Sequence, residues 1–214
     1  MEETSSTNDL AKKIAQNTEK DFVVRADRQS SGRGRRGRGW NSPPGGLYFS
    51  LCTSREKLLP IKASLAVGFT LEDVGVEFEL KWPNDVLAEG KKLCGILTEV
   101  SEGRSIVGIG INVEIAPLEN SINLAALVDE PVNVDELMQR VIDRLFKLGN
   151  DDDLLQAYRS YCSTIGSHAV ITTPSSQFTG LVRNVDNKGR IILQNGKRVT
   201  AGDVVHLRKG AQNR

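Results

Sequence analysis

Gly32-Arg33-Gly34-Arg35-Arg36-Gly37-Arg38-Gly39-Trp40 sets four arginines and four glycines in nine consecutive positions. No helical or alternating pattern runs through it, so it reads as loop. It is part of a longer Gly-, Arg-, Ser- and Pro-rich stretch from Asp27 to Gly46. The glycines let the backbone pass close to a ligand and present its N–H groups. The arginines present planar forks that fit carboxylate and phosphate oxygens. Four crowded positive charges repel one another, so the loop is expected to be mobile and to order when an anion arrives. Trp40 is suited to cover an adenine ring or another ligand face. The Gly-Lys-Ser/Thr ending of a Walker A loop is missing. Taken alone, the run also fits a solvated basic loop or an Arg-Gly-rich RNA-binding segment.

Working outward, the loop lies between regular elements. Before it, Ser6 to Ala15 reads as a helix capped by Ser6 or Thr7, with Leu10, Ala11, Ile14 and Ala15 at helical spacing. Phe22-Val23-Val24 is a short strand. After it come a strand from Leu47 to Thr53 and a helix from Ile61 to Val74 with Leu65, Ala66 and Phe69 on one face. A strand from Glu77 to Trp82 is stopped by Pro83. Lys92 to Val100 and Ile106 to Val113 are two more strands, joined by the turn Ser101-Glu102-Gly103-Arg104. Asn133 caps a helix that carries Leu137, Met138, Val141, Ile142, Leu145 and Leu148 and ends at Gly149, with Glu136 completing the cap. A further helix starts at Asn150. Its first turn, Asp151-Asp152-Asp153, suits the positive end of the helix dipole better than a metal site. Tyr158 and Tyr161 on that helix read as packing residues.

From about Ser167 only short alternating strands follow: Ala169–Thr173, Phe178–Val185, Arg190–Gln194 and Val204–Leu207. Asn187-Lys188-Gly189 and Asn195-Gly196 mark hairpins. Four or five strands in this length suggest a small SH3-like β-barrel. The expected organisation is α+β, with a catalytic domain over residues 1–165 and the small β domain over 166–214.

Bulk properties narrow the function classes. The 214 residues suit one medium domain and a small one. Lys and Arg number 28 against 27 Asp and Glu, so the chain as a whole is not a polycation and the local clustering matters more. Met1 to Lys20 lacks the apolar core of a secretory signal, and no run approaches the roughly 18 apolar residues of a membrane helix. Cys52, Cys94 and Cys162 are odd in number and widely spaced, which fits neither a disulfide framework nor a zinc site. A reducing, cytoplasmic setting without membrane contact is the expectation. His168 and His206 lie far from the motifs and make a poor metal site.

Two further segments carry chemistry. Lys81-Trp82-Pro83-Asn84-Asp85 followed by Lys91-Lys92-Leu93-Cys94-Gly95 brings ammonium groups beside a carboxylate at one sheet edge, although a charged hairpin would do the same. Val107-Gly108-Ile109-Gly110-Ile111-Asn112 sets glycines inside a strand. They weaken it unless something approaches closely, such as an apolar ring lying over Gly108 and Gly110, or a tightly packed helix.

Together, Ser6-Thr7-Asn8, Gln29, Gly32–Trp40, Lys81–Asp85, Lys92-Leu93-Cys94-Gly95 and Gly108–Asn112 resemble the biotin–protein ligases in order and spacing, over roughly residues 4 to 115. The resemblance implies a mixed-sheet catalytic domain of the biotin/lipoate ligase type. It implies that Ser6, Thr7 and Gln29 hydrogen-bond the biotin ureido ring, and that Gly32, Arg33, Gly95 and Gly108 line the same pocket. Arg35 and Arg38 would face the carboxylate and the phosphates, with Trp40 and Asn112 near the adenylate. Lys92 would meet the biotin carboxylate and the α-phosphate. Asn84 and Asp85 would contact ATP, its metal and the acceptor lysine. Arg33, Lys92 and Asp85 are the catalytic candidates, and Asp85 is the candidate to orient the acceptor amine or accept its proton.

The implied reaction uses ATP, Mg²⁺ and biotin as substrates, without a tightly bound prosthetic group. Biotinyl-5′-AMP forms first, and biotin then passes to a lysine of a biotin carboxyl carrier protein. No metal ligand is firmly assigned; Mg²⁺ would arrive with ATP, near Asp85. A homodimer is expected from the resemblance. The Ser-Thr-Asn motif stands too early for a preceding helix-turn-helix, so DNA binding by that route is not expected. The first strand usual in the family is expected to be shortened or absent. The competing readings are a lipoate–protein ligase, which shares the adenylate chemistry, and an RNA-binding protein with an Arg-Gly loop.

Overall fold

Alternation along the strands decides which face of this molecule carries chemistry. The computed structural model describes residues 1–149 and 151–207. In chain order the elements are β1 (Glu3–Thr4), α1 (Thr7–Ala15), β2 (Phe22–Ala26), β3 (Arg28–Gln29), β4 (Gly46–Thr53), α2 (Leu59–Glu72), β5 (Glu79–Lys81), β6 (Asp85–Ala88), β7 (Lys91–Ser101) and β8 (Arg104–Asn112). They continue with α3 (Val134–Lys147), α4 (Asp151–Tyr161), β9 (His168–Thr172), β10 (Gln177–Val185), β11 (Ile191–Leu193), β12 (Arg198–Val199) and β13 (Asp203–His206). Short 3-10 turns cover Arg35–Gly37 and Leu124–Ala126.

The main sheet has six strands in the order β2-β4-β8-β7-β6-β5. Every neighbouring pair in it is antiparallel. Parallel pairing, expected of a mixed sheet, is limited among the described residues to the small pair β1–β3 and the isolated bridges Leu80–Cys162 and Lys92–Ser121. The tight turn between β7 and β8 makes that central pair antiparallel, because a two-residue connection can only return a strand antiparallel. Here Glu102 (φ 51) and Gly103 (φ 71) take the left-handed conformations that such a turn requires.

Side chains alternate across the sheet. Leu47, Phe49 and Leu51 of β4, Val107, Ile109 and Ile111 of β8, and Cys94 and Ile96 of β7 are almost fully buried. They join α2, α3 and α4 in one apolar cluster. Tyr161 stacks on Phe78 at 4.4 Å and meets Phe69 edge-on, and Tyr158 is buried. Both tyrosines therefore pack, as expected. The intervening residues, Ser50, Gly95, Leu97, Glu99, Gly108, Gly110 and Asn112, face the other side. There α1 covers only one end, through Ala11 and Ala15 against Val24, Cys52 and Ile106. The rest of that face is left for the site.

Local chemistry sets the ends of the helices. The Ser6 hydroxyl accepts from Asp9 N at 3.4 Å and caps α1, and Asn133 Oδ1 accepts from Asp135 N and Glu136 N to cap α3. The expected helix start at Asn150 lies outside the described residues; Asp151–Asp153 form the first turn of α4. β1, β3, β6 and β12 are found in addition to the expected strands, and β3 falls inside the Asp27–Gly46 stretch read as loop, where Arg28 and Gln29 pair with Glu3 and Thr4.

The C-terminal strands form an antiparallel sheet in the order β12-β11-β10-β9-β13. A register shift between Val182 and Asn184 divides β10, so that its first half pairs with β9 and its second half with β11. The closure expected of a barrel is not found, since no ladder joins β12 to β13 among the described residues. β11 and β12 are three and two residues long, too short to carry the pairing round to the far edge. Ala169, Ile171, Val182, Val185, Ile191 and Leu193 of this sheet continue the apolar cluster of the main sheet.

Candidate active site

The open face of the main sheet is the floor of a cavity of about 190 Å³. Ser6, Thr7, Gln29, Arg33, Arg35, Arg38, Trp40, Asn84, Lys92, Gly95, Gly108 and Asn112 all line it. These residues come from six segments separated in sequence. Their convergence follows from the pairing of β4, β8 and β7 and from α1 lying across one end.

The glycines of the two central strands have a clear use. Gly95 and Gly110 are opposite each other in the β7–β8 pair. A Cβ on Gly110 would lie 2.4 Å from Trp40 Nε1, and one on Gly95 would lie 2.8 Å from Trp40 Cζ3. The indole therefore lies flat on a floor that only glycine provides. The ring expected over this strand is thus the protein's own Trp40, and it covers Gly110 and Gly95. Gly108 instead sits beneath the side chain of Asn8, whose Oδ1 would be 2.2 Å from an added Cβ.

One end of the cavity is walled by a fixed polar chain. Gln29 Oε1 accepts from Thr7 N (2.9 Å) and Thr7 Oγ1 (3.2 Å), while Gln29 Nε2 donates to Ser42 Oγ (2.8 Å). Ser50 Oγ is 2.8 Å from Thr7 Oγ1 and 2.6 Å from Asn8 Oδ1. Asn8 Nδ2 donates to Glu99 Oε2 (2.8 Å). Donors and acceptors are thereby held in set orientations before any ligand arrives.

Arg33 belongs to the same network. Its Nε and Nη2 donate to Asp9 (3.1 and 2.6 Å), and Nη2 also donates to Glu99 Oε2 (2.8 Å). Lys12 Nζ reaches Glu99 Oε1 at 2.6 Å. Burial alone would raise the Glu99 carboxyl, but hydrogen bonds from Lys12, Asn8 and Arg33 outweigh it and hold the group below its ordinary value. Arg33 thus ties the loop to α1 and β7. Gly32 does not line the cavity; a Cβ there would meet Trp40 O at 2.4 Å and Ser42 Oγ at 2.6 Å, so its smallness lets the loop fold back on itself.

The opposite end is cationic. Lys92 Nζ lies 5.1 Å from the Trp40 ring centroid and 2.7 Å from Asp85 Oδ1. Asp85 is absent from the cavity lining and stands behind Lys92, paired with it rather than with Lys81. Arg35 Nη1 donates to Asn84 Oδ1 (3.3 Å) and Gly202 O (3.4 Å), both long contacts. Burial pulls the Arg35 guanidinium below its ordinary value, and Asp203 opposes that pull. Asn84 is fixed by Nδ2 donating to Ile96 O at 2.9 Å. Asn112 is buried and donates to Lys92 O and Ile122 O (3.3 and 3.1 Å), which holds the rim segment at residues 117–122 against β7.

The mutual repulsion expected among the loop arginines is relieved by the protein itself, through Asp9 and Glu99 on Arg33 and Asp203 on Arg36 and Arg38. Sequence reasoning did not reach these carboxylates, nor Ser50, Leu97 or the rim residues Pro117, Leu118 and Ser121. No group of three or more His, Cys, Asp or Glu side chains converges on a metal position among the described residues. His206 Nε2 lies 3.1 Å from Thr164 Oγ1, away from the cavity. Cys52, Cys94 and Cys162 are free and buried, and burial pushes each thiol up, away from the reactive thiolate. No helix among the described residues is long and apolar enough to cross a membrane.

Comparison with known proteins agrees with this arrangement. The model of the biotin/lipoate A/B protein ligase family matches residues 1–115. The biotin–[acetyl-CoA-carboxylase] ligase of Mycobacterium tuberculosis is 38% identical, over 96% of this chain and 87% of that protein. The bifunctional ligase/repressor BirA of Bacillus subtilis is 29% identical, over 94% of this chain and 71% of that protein. Among solved structures, the biotin protein ligase from Aquifex aeolicus in complex with biotin and ATP superposes with a TM-score of 0.84 at 30% identity, covering 97% of both chains. The chain belongs to the biotin/lipoate A/B protein ligase family.

Proposed function

We propose that this chain is a biotin–protein ligase that activates biotin with MgATP and transfers it to a lysine of a biotin carboxyl carrier protein. The observation that carries the reading is the convergence of the motif residues on one cavity, with a fixed polar wall at one end, cations at the other and an indole between. The polar wall of Thr7, Gln29 and Ser6 suits the ureido ring of biotin. Trp40 on its glycine floor suits the apolar ring system and then the adenine. The cationic end suits a carboxylate meeting a phosphate. The family relationship and the M. tuberculosis ligase at 38% identity support the same substrate.

In the first step a biotin carboxylate oxygen attacks the α-phosphorus. The bond to the bridging oxygen breaks, and pyrophosphate leaves with biotinyl-5′-AMP formed. Lys92, Arg35 and Arg38 stabilise the charge on the phosphoryl oxygens, and aimed cations in a site that excludes water act far more strongly than in bulk solvent. Mg²⁺ enters as part of the nucleotide substrate, held mainly by phosphate oxygens and water. Asp85 aims Lys92, and Arg33 anchors the loop rather than meeting the phosphate. In the second step the acceptor amine attacks the acyl carbon, the carbon–oxygen bond to AMP breaks and AMP leaves. A free lysine has a pKa near ~10.4, so the amine must shed a proton. Asp85 accepts it once Lys92 has turned to the phosphate. Trp40, Asn84 and Asn112 shape the adenylate end.

Residues 1–165 act as the catalytic unit and 166–214 as a small β unit of SH3-like strand pattern. The enzyme works in the cytoplasm, as a homodimer. An RNA-binding role is not favoured, because three of the four loop arginines pair with Asp9, Glu99 and Asp203 and the fourth, Arg35, lines the cavity. Exchange of labelled pyrophosphate into ATP tests the reading. Biotin should support exchange, and lipoate or no acid should not.

A further inference from the structure

Arg36 and Asp203 lie outside the cavity described above, yet they join it to the C-terminal sheet. Asp203 opens β13, and its two oxygens are divided between two arginines of the loop. Oδ1 accepts from Arg38 Nη2 (2.7 Å), and Oδ2 accepts from Arg36 Nη1 (3.0 Å). Arg36 Nη1 also donates to Thr172 O (2.7 Å), and Thr172 is the cross-strand partner of Asp203 in the β9–β13 pair. The neighbouring carbonyl, Gly202 O, accepts from Arg35 Nη1. Asp203, its neighbour Gly202 and the facing Thr172 thus hold three of the four loop arginines.

The loop backbone needs such a hold. Arg36 sits at φ 57, ψ 36, and Gly37 follows at φ 74. A non-glycine residue in the left-handed region is disfavoured and persists only where surrounding contacts fix it. The guanidinium of Arg36, held by Asp203 and Thr172, supplies that fixing. The turn it stabilises directs Arg35 and Arg38 to the cavity on either side of Arg36. The 202–203 corner is itself closely packed, since a Cβ on Gly202 would lie 2.7 Å from Ile171 Cγ2.

We propose that Asp203 is a positioning residue for the nucleotide site: through Arg36 and Arg38 it sets the closed turn of the arginine loop, so that the C-terminal sheet fixes the geometry of phosphate binding. This rests on the reading of the cavity as a biotin and ATP site. The opposite role, with the Asp203 carboxylate competing with phosphate for Arg38, predicts the opposite sign in the same experiment.

The test is Asp203→Asn, Arg36→Gln and their double variant, with Asp203→Glu as the conservative control. Two readouts are needed. Hydrogen exchange of the loop amides, without substrates, reports the turn itself, where Gly34 N, Arg38 N and Trp40 N donate to Arg38 O, Arg35 O and Gly32 O. Biotin-dependent pyrophosphate exchange gives KM for ATP and kcat separately. Each single variant should speed loop exchange and raise KM for ATP about fivefold, as for a partly exposed ion pair. The affinity for biotin should hold, the double variant should be little worse than either single one, and Asp203→Glu should recover part of the loss. Arg36→Gln reads the contact from the loop side if Asp203→Asn disturbs the C-terminal sheet. A lower KM for ATP in Asp203→Asn would overturn the proposal in favour of competition. Unchanged loop exchange and unchanged KM would show the contact to be idle. Faster loop exchange in the variants of a chain that shows no biotin-dependent activity even as wild type would uphold the latch and refute the substrate reading instead.

Discussion

Gly110→Ala puts the proposed role of the glycine floor under direct strain. The added Cβ would lie 2.4 Å from Trp40 Nε1, 2.6 Å from Cε2 and 2.9 Å from Cζ2. Carbon contacts are comfortable at about 3.5–4.0 Å, so the indole must lift by roughly 1 Å. It cannot slide along the sheet without meeting the position above Gly95, where an added Cβ is already 2.8 Å from the ring. Its only free direction is into the cavity. Overpacking of this kind costs about 1–3 kcal/mol, and here much of the cost falls on the ligand, because the displaced ring occupies the space the ligand needs. Biotin affinity should fall about ten- to a hundredfold, read by isothermal titration. The melting temperature should move little, since Trp40 belongs to a loop at the cavity wall. Gly180→Ala is the control, because a Cβ there meets nothing within 4 Å. Wild-type biotin affinity in Gly110→Ala would refute the reasoning that the Trp40 platform forms the biotin wall.

Lys92→Ala should reduce adenylation on the order of 10²–10³-fold, with folding intact, if its ammonium acts on developing phosphoryl charge; a loss below about tenfold in the exchange assay would remove it from that role. Asp85→Asn leaves Lys92 without its 2.7 Å partner and removes the proposed base. Transfer from supplied biotinyl-5′-AMP should slow about 10²-fold or more, and an unchanged transfer rate would leave Asp85 with only the aiming of Lys92. Glu99→Gln tests the network under Arg33. A carboxyl held low contributes stability above its unfolded pKa of about ~4.3 and loses it as pH falls through the lower folded value. The variant should therefore be less stable by about 1–2 kcal/mol near neutral pH, and the gap should close below about pH 4. Urea melts at the two pH values decide this, and a gap independent of pH would discard the ion-pair account.

Much of the fold was legible because period and punctuation agreed. The β7–β8 hairpin announced itself by its alternation and the Glu102-Gly103 turn, and α1 and α3 by Ser6 and Asn133. The glycines of β8 were recognised as marking a close approach; the ring expected over Gly108 and Gly110 proved to be Trp40 over Gly110 and Gly95, with Asn8 over Gly108. What failed to show was everything set by distant partners. β1 and β6 are two and four residues long, too short for a period to emerge. The carboxylates that neutralise the arginine loop are Asp9, Glu99 and Asp203, removed from their partners by between 24 and 167 residues. Repulsion among the arginines was visible in the sequence, and its relief was not, because charge pairing at that range is fixed by the sheet and not by local pattern. Asn8 was seen only as part of a motif. Its placement over Gly108 needed the antiparallel register of β4, β8 and β7. The barrel was over-read, since a count of short strands says nothing about whether the last one returns to the first.

The most direct test of the central claim is pyrophosphate exchange by the purified chain with MgATP and biotin, lipoate or no acid. The account predicts exchange with biotin alone. Exchange with lipoate in place of biotin, or none from a folded sample with either acid, would contradict it.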